Sequence, residues 1–215
     1  KKSKVMLFGA MALTAGLALA ACGSSQSSNA DKTYSYIFVN NPDTLDYITS
    51  TRDSTSSITT NLIDGLLEND QYGNLIPSMA ESWTVSKDGL TYTYKIRQGA
   101  KWYTSEGEEY ADVTAHDFVT GLKYAADKKA ENLYLVQDSI KGLADYVEGK
   151  SSDFGTVGVK AVDDYTLQYT LIQPETYWNS KTTASILSPV NEAFLKSKGD
   201  DFGSVTPSSI LSNGP

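Results

Sequence analysis

Of 215 residues one is cysteine, Cys22, and one is histidine, His116. A lone thiol cannot close a disulfide within the chain, and with one imidazole a zinc centre or a Ser-His-Asp triad would have to be assembled from carboxylates. No glycine-rich loop has phosphate-cradling spacing, and no Gly-x-Ser-x-Gly elbow occurs. Catalysis has no visible apparatus, and neither a metal nor a cofactor is expected. Basic residues are also few, with 18 Lys and Arg against 26 Asp and Glu and a net charge of −8. Such an acidic body is a poor partner for nucleic acid, and the acidity reads as solvation rather than as a cation store.

What is present begins at the N-terminus. Lys1, Lys2 and Lys4 precede an apolar run over residues 5–21 that ends Leu19-Ala20-Ala21 directly before Cys22. This is the layout of a secretory signal peptide over residues 1–21 with a lipobox, which makes Cys22 the residue to be lipidated. The alternative, a membrane-spanning helix, falls short of the roughly 20 apolar residues a span prefers and is diluted by Gly9, Thr14 and Gly16. Residues 23–30 are polar and small, offer Cys22 nothing to be buried against, and read as a flexible tether. Removing residues 1–21 takes three lysines and no acid, so the charge moves from −8 to −11. Anionic lipid would repel that body, so an acyl anchor is what would hold it at a surface.

Along the body, residues 33–39 are β-branched and aromatic and predict a buried strand closed by Asn40-Asn41-Pro42-Asp43. A Ser/Thr-rich loop over residues 49–57 leads to Ile58, Leu62 and Leu66, whose spacing predicts a helix widened by Ile63 and Leu67. Tyr72-Gly73-Asn74 is a turn, and Pro77 is expected to start a short helix carrying Met79 and Ala80. Residues 83–85 and 90–97 flank Ser86-Lys87-Asp88-Gly89 and predict a half-buried hairpin, the second strand alternating Leu90, Tyr92, Tyr94 and Ile96. Thr114 is an N-cap candidate with Asp117 three residues on, and Phe118, Leu122 and Ala125 form the inner stripe of its helix. A further helix over residues 139–147, a hairpin over 157–162 and 165–171 around Asp163-Asp164, and a helix from Pro189 to Gly199 complete a mixed α/β pattern. The last residues, 210–215, carry no polar tail, as expected of a chain that stops inside an element.

The candidate functional groups each have a plainer reading. His116 lies in the first turn of a helix, where an imidazolium is disfavoured, and reads as a surface residue. Asp163-Asp164 and Asp200-Asp201 sit at turns, where Asp is favoured for local hydrogen bonding rather than for acid/base work. The 14 Tyr and three Trp would suit a pocket for peptide or sugar, but strand tyrosines such as Tyr92, Tyr94 and Tyr169 read first as core.

Three strings carry a resemblance that spans residues beyond the tether. They are Pro77-Ser78-Met79-Ala80-Glu81-Ser82-Trp83 continuing through Asp88-Gly89-Leu90-Thr91-Tyr92-Thr93-Tyr94 to Lys101-Trp102; Val113-Thr114-Ala115-His116-Asp117-Phe118-Val119; and Ala161-Val162-Asp163-Asp164-Tyr165-Thr166-Leu167 with Ser188-Pro189-Val190 and Ser212-Asn213-Gly214-Pro215. In order and spacing the chain resembles the family 5 extracellular solute-binding proteins, and within them the streptococcal oligopeptide-binding lipoproteins of the Ami/Ali type. Two departures are His116, where the family commonly has an acid, and length, since members are much longer.

The resemblance implies a type II periplasmic-binding-protein fold of Venus-flytrap form. In that division, residues 1–21 are the signal peptide, 22–31 the lipidated Cys22 and tether, 32–63 the first part of lobe I, 64–185 an inserted domain II, and 186–215 an incomplete lobe I continuation. It also implies a non-catalytic receptor on the outer face of the cell membrane, in a Gram-positive-like setting, passing oligopeptides to an ABC permease and its ATPase subunits. The family's ligand-facing loop falls on Thr51, Arg52 and Asp53, with Tyr134 as an aromatic at the cleft. Arg52 and Asp53 offer opposite charges to a peptide, and a solvated loop with a local ion pair is the alternative. Rival readings are a nickel-chelate or haem-binding member of the family, which a lone His116 supports poorly; a surface peptidase or glycosidase, for which no convergent carboxylate pair is evident; and an adhesion or signalling lipoprotein.

Overall fold

The computed structural model describes Ile37 and residues 40–214. Cys22, the tether and, apart from Ile37, the strand expected over residues 33–39 lie outside the described residues. The unit from Val39 to Pro215 carries every element described.

Its centre is a four-stranded antiparallel sheet in the order β3 (Ala80–Val85), β4 (Thr91–Ile96), β8 (Thr166–Thr170), β7 (Val159–Asp163). Both expected hairpins are there, β3–β4 turning at Gly89 and β7–β8 at the Asp163-Asp164 pair. Period-2 alternation puts Tyr92, Tyr94 and Ile96 on one face, and the register sets Tyr92 opposite Tyr169 and Tyr94 opposite Leu167. Trp178, from the short helix α4 (Trp178–Lys181), closes over that face, with its ring 5.3 Å from Tyr169 and 6.1 Å from Tyr92. Tyr94, Tyr169 and Trp178 are fully buried, so the strand tyrosines are core. Burying a large apolar side chain stabilises by about 1.5–3 kcal/mol, which makes this aromatic cluster a main support of the fold.

Helix α2 (Ala115–Lys128) lies against β7 and β8 and starts as expected. The Asp117 carboxylate accepts from the Thr114 N–H at 2.8 Å and also from Trp102 Nε1 at 3.1 Å, tying the helix start to β5 (Lys101–Tyr103). Phe118, Leu122 and Ala125 are buried, as their spacing predicts. Where residues 188–190 cross α2 the helix presents Gly121, and a Cβ there would stand 2.2 Å from the Ser188 carbonyl oxygen. Smaller hairpins are formed by β1 (Leu67–Asn69) with β2 (Leu75–Pro77), turning at Gly73, and by β5 with β6 (Glu109–Asp112).

Four helix expectations move. The helix read from Ile58, Leu62 and Leu66 instead occupies the Ser/Thr-rich stretch as α1 (Asp53–Thr59). Hydroxyls there bond back to carbonyls four residues earlier, Thr59 to Thr55 at 3.1 Å and Thr60 to Ser56 at 2.7 Å. A longer helix would give the Leu62 carbonyl to residue 66, but it accepts from the Asn213 and Gly214 N–H groups instead, each at 3.0 Å. Pro77 ends β2 rather than starting a helix, because the Met79 and Ala80 N–H groups bond to the Gly65 and Leu66 carbonyls. Residues 139–141 are held to the end of β8, with Lys141 N–H on the Thr170 carbonyl, so α3 spans only Leu143–Val147. Helix α5 (Glu192–Lys198) begins after Pro189 because Asn191 is its cap, the side chain accepting from Phe194 N–H at 3.0 Å.

Candidate functional site

The segment over residues 44–53 has almost no apolar side chain facing inward except Leu45, Tyr47 and Ile48, yet it is held firmly. Its anchor is Asp46, a buried carboxylate that accepts from the N–H groups of Ile48 (3.0 Å) and Thr49 (3.1 Å), the Thr49 hydroxyl (2.6 Å) and the Tyr124 hydroxyl of α2 (2.9 Å). Tyr47 donates to the Pro189 carbonyl at 2.9 Å. Burial, and next the negative charge of Asp46, push the Tyr47 and Tyr124 hydroxyls well above the ordinary tyrosine range, so both stay protonated donors.

On the other side the segment lies against Gly203, whose carbonyl accepts from Leu45 N–H (2.6 Å) and the Thr44 hydroxyl (2.7 Å). Gly203 has φ of 74°, and a Cβ there would meet the Asp46 backbone at 2.6 Å. Any larger residue would both strain the backbone and push the segment away.

Thr51, Arg52 and Asp53 emerge from this anchored run, all exposed. They are not all loop: Arg52 is the N-cap position of α1 and Asp53 its first residue, where a carboxylate faces the positive end of the helix. Arg52 Nε pairs with Asp43 at 2.9 Å rather than with its neighbour Asp53. Thr51 instead reaches across the fold, its hydroxyl donating to Glu131 Oε2 at 3.0 Å. Thr44, Thr49, Ser50, Thr51, Arg52 and Glu131 line one polar cleft of about 390 Å³.

Thus Thr51 and Arg52 are brought together in a cleft, and Asp53 borders it on the chain without lining it. Tyr134 sits in the 3₁₀ turn Glu131–Leu135 that supplies Glu131, 70% exposed, but is not among the lining residues. Sequence reading missed Glu131, which is 80 residues from Thr51 and carries no local signal. It also missed Asp46, although an Asp bonding N–H groups two and three residues on is a turn pattern that could have been sought.

The other candidates make local contacts. His116 is exposed and pairs with Asp164 at 3.3 Å, and Asp163 accepts from the Tyr165 N–H in its turn. Among the described residues no group of three or more His, Cys, Asp or Glu is placed to hold a metal ion, and no helix is long and apolar enough to cross a membrane.

Solved structures with this fold include the substrate-binding domain of an oligopeptide ABC transporter from Bacillus anthracis, with a TM-score of 0.73 and 35% identity over 82% of this chain and 34% of that one. Another is Listeria monocytogenes OppA bound to peptide, at 0.73 and 34% identity over 80% of this chain and 33% of that one. The expected solute-binding-protein architecture of mixed α/β class is therefore present. By sequence the chain is 66% identical over 214 residues to the oligopeptide-binding protein AliB of Streptococcus pneumoniae, which covers all of this chain and 32% of that one. It is 63% identical to the oligopeptide-binding protein SarA of Streptococcus gordonii, covering all of this chain and 34% of that one. The chain spans about a third of the length of these curated relatives. Residues 74–215 match the model of the bacterial extracellular solute-binding proteins, family 5 Middle. The chain belongs to the family 5 bacterial extracellular solute-binding proteins.

Proposed function

We propose that the chain supplies one wall of an oligopeptide trap, a non-catalytic receptor that passes its ligand to an ABC permease driven by cytoplasmic ATPase subunits. The observation that carries this reading is the cleft lined by Thr51, Arg52 and Glu131, on a segment pinned by Asp46 and Gly203. Preorganised walls lower the ordering cost of binding, and an extended peptide brings the same main-chain donors and acceptors whatever its sequence. Relatives whose names specify oligopeptides align with the whole chain at 62–66% identity, which supports the same ligand class here.

In this reading residues 32–63 and 186–215 belong to lobe I and residues 64–185 to the inserted domain. Cys22 carries the acyl anchor after removal of residues 1–21, and residues 22–31 tether the body to the outer face of the cell membrane. Asp53, next to Arg52 on the chain, and Tyr134, in the turn that supplies Glu131, would border the ligand. Closure on peptide would shift an existing open and closed equilibrium through contacts made only in the closed form.

The test is a ¹⁵N NMR titration of the chain with a pool of short peptides. Shifts that saturate in the amides of Thr51, Arg52, Asp53 and Glu131 are expected, and their absence up to millimolar peptide would refute capture at this wall. Separately, Cys22→Ser should release the protein from cells, and a variant that stayed cell-bound and detergent-sensitive would overturn the anchor.

A further inference from the structure

Four hydroxyls line the cleft beside α1, and each has its single hydrogen already committed to an acceptor. Thr44 donates to the Gly203 carbonyl (2.7 Å), Thr49 to Asp46 (2.6 Å) and Thr51 to Glu131 (3.0 Å). Ser50 donates to the Thr55 hydroxyl (3.0 Å), a direction fixed because the hydrogen of Thr55 goes to the Thr44 carbonyl at 2.9 Å. A hydroxyl has one hydrogen and two lone pairs, so these groups have only lone pairs left to offer. Thr44 and Ser50 each use one on a backbone N–H, those of Asp46 and Arg52, which leaves Thr49 and Thr51 the least engaged acceptors.

The charges lean the same way. Arg52, the one cation among the described residues that line the cleft, is paired with Asp43 at 2.9 Å. Glu131 has the Thr51 hydroxyl as a partner, and among the described residues it forms no ion pair. The cleft is thus rich in acceptors and carries one uncompensated negative charge.

We propose that this cleft receives a primary ammonium group, with Glu131 as counter-ion and Thr49 and Thr51 as neutral acceptors. An ammonium carries three donors and no acceptor, which is the complement of what the lining presents. A carboxylate or phosphate would meet lone pairs and a like charge. The proposal rests on the peptide-capture reading, under which the ammonium is the ligand's amino terminus or a lysine side chain.

The experiment is a ¹⁵N NMR titration of the chain with three probes: tetra-alanine amide, N-acetyl-tetra-alanine amide and N-acetyl-Ala-Lys-Ala amide. Selective shifts at residues 49–52 and 131 from the free-amine peptide, from the lysine peptide or from both support the proposal and say which ammonium is read. Glu131→Gln, an exposed substitution, should then weaken the responding peptide about tenfold, the loss expected of one charge-assisted hydrogen bond. If the acetylated alanine peptide binds as well as the other two, or Glu131→Gln leaves affinity unchanged, the ammonium proposal is overturned while peptide capture stands. If none of the probes and no pooled peptide shifts these amides, both fall.

Discussion

The aromatic face of the four-stranded sheet and the polar segment over residues 44–53 are built on opposite plans. The first packs Tyr94, Tyr169 and Trp178 at zero exposure and draws its stability from area removed from water. The second is organised by one buried carboxylate, Asp46, whose four hydrogen bonds substitute for a packed interior. Loss of apolar contact costs stability in step with the volume removed, whereas a polar network fails as a unit when one member leaves donors unpaired. The difference places apolar packing where no ligand is expected and a pinned polar network where one is.

The sharpest way to break the first plan is Trp178→Ala. It removes the ring that covers Tyr92 and Tyr169 and should cost about 3–5 kcal/mol in urea unfolding. One contribution to the fold's pH response comes from Asp117, whose carboxyl is pushed up from the ordinary 3.8 to about 6, first by burial, against hydrogen bonds from Thr114 and Trp102 that favour the charged form. Because the folded pKa is the higher one, its contribution is most favourable below about 3.8 and is lost as pH rises through about 6. The full swing is about 3 kcal/mol. The exposed Asp70, Asp88 and Asp163 have lowered carboxyl pKa values and act in the opposite sense, so the measurement is the difference between the chain and Asp117→Asn across that pH window.

For the second plan, Asp46→Ala leaves its donors without an acceptor and should cost about 1–3 kcal/mol, with faster hydrogen exchange confined to residues 44–53. Two smaller effects sharpen the contrast. Among the described residues the buried Tyr169 hydroxyl has no hydrogen-bond partner, so Tyr169→Phe should be neutral or stabilising by up to about 1 kcal/mol, the reverse of what a bonded tyrosine would show. Arg52→Gln breaks only an exposed pair and should shift stability by less than about 0.5 kcal/mol, in thermal unfolding, while altering peptide binding.

The two plans also differ in how far they could be read from the chain. Alternation in β4 and β8 and the Thr114 cap are local patterns, and the hairpins, the α2 stripe and the tyrosine core followed from them directly. The Ser/Thr-rich run read as loop because hydroxyls compete with helical hydrogen bonds, yet here they bond back along α1 and allow it. The Leu62 carbonyl just beyond α1 is taken by Asn213 and Gly214, about 150 positions away, which no local pattern encodes. In the candidate cleft the resemblance pointed to Thr51 and Arg52, but Glu131, held to Thr51 across 80 residues, came only from the fold. The glycine at 203 likewise gained a meaning only once Asp46 was seen against it.

The most direct test of the division of labour is hydrogen exchange on the chain with and without a saturating pool of oligopeptides. Protection should appear in residues 44–53 and 131–135 and leave β4 and β8 unchanged; protection confined to the sheet, or none anywhere, would contradict the placement of the ligand wall.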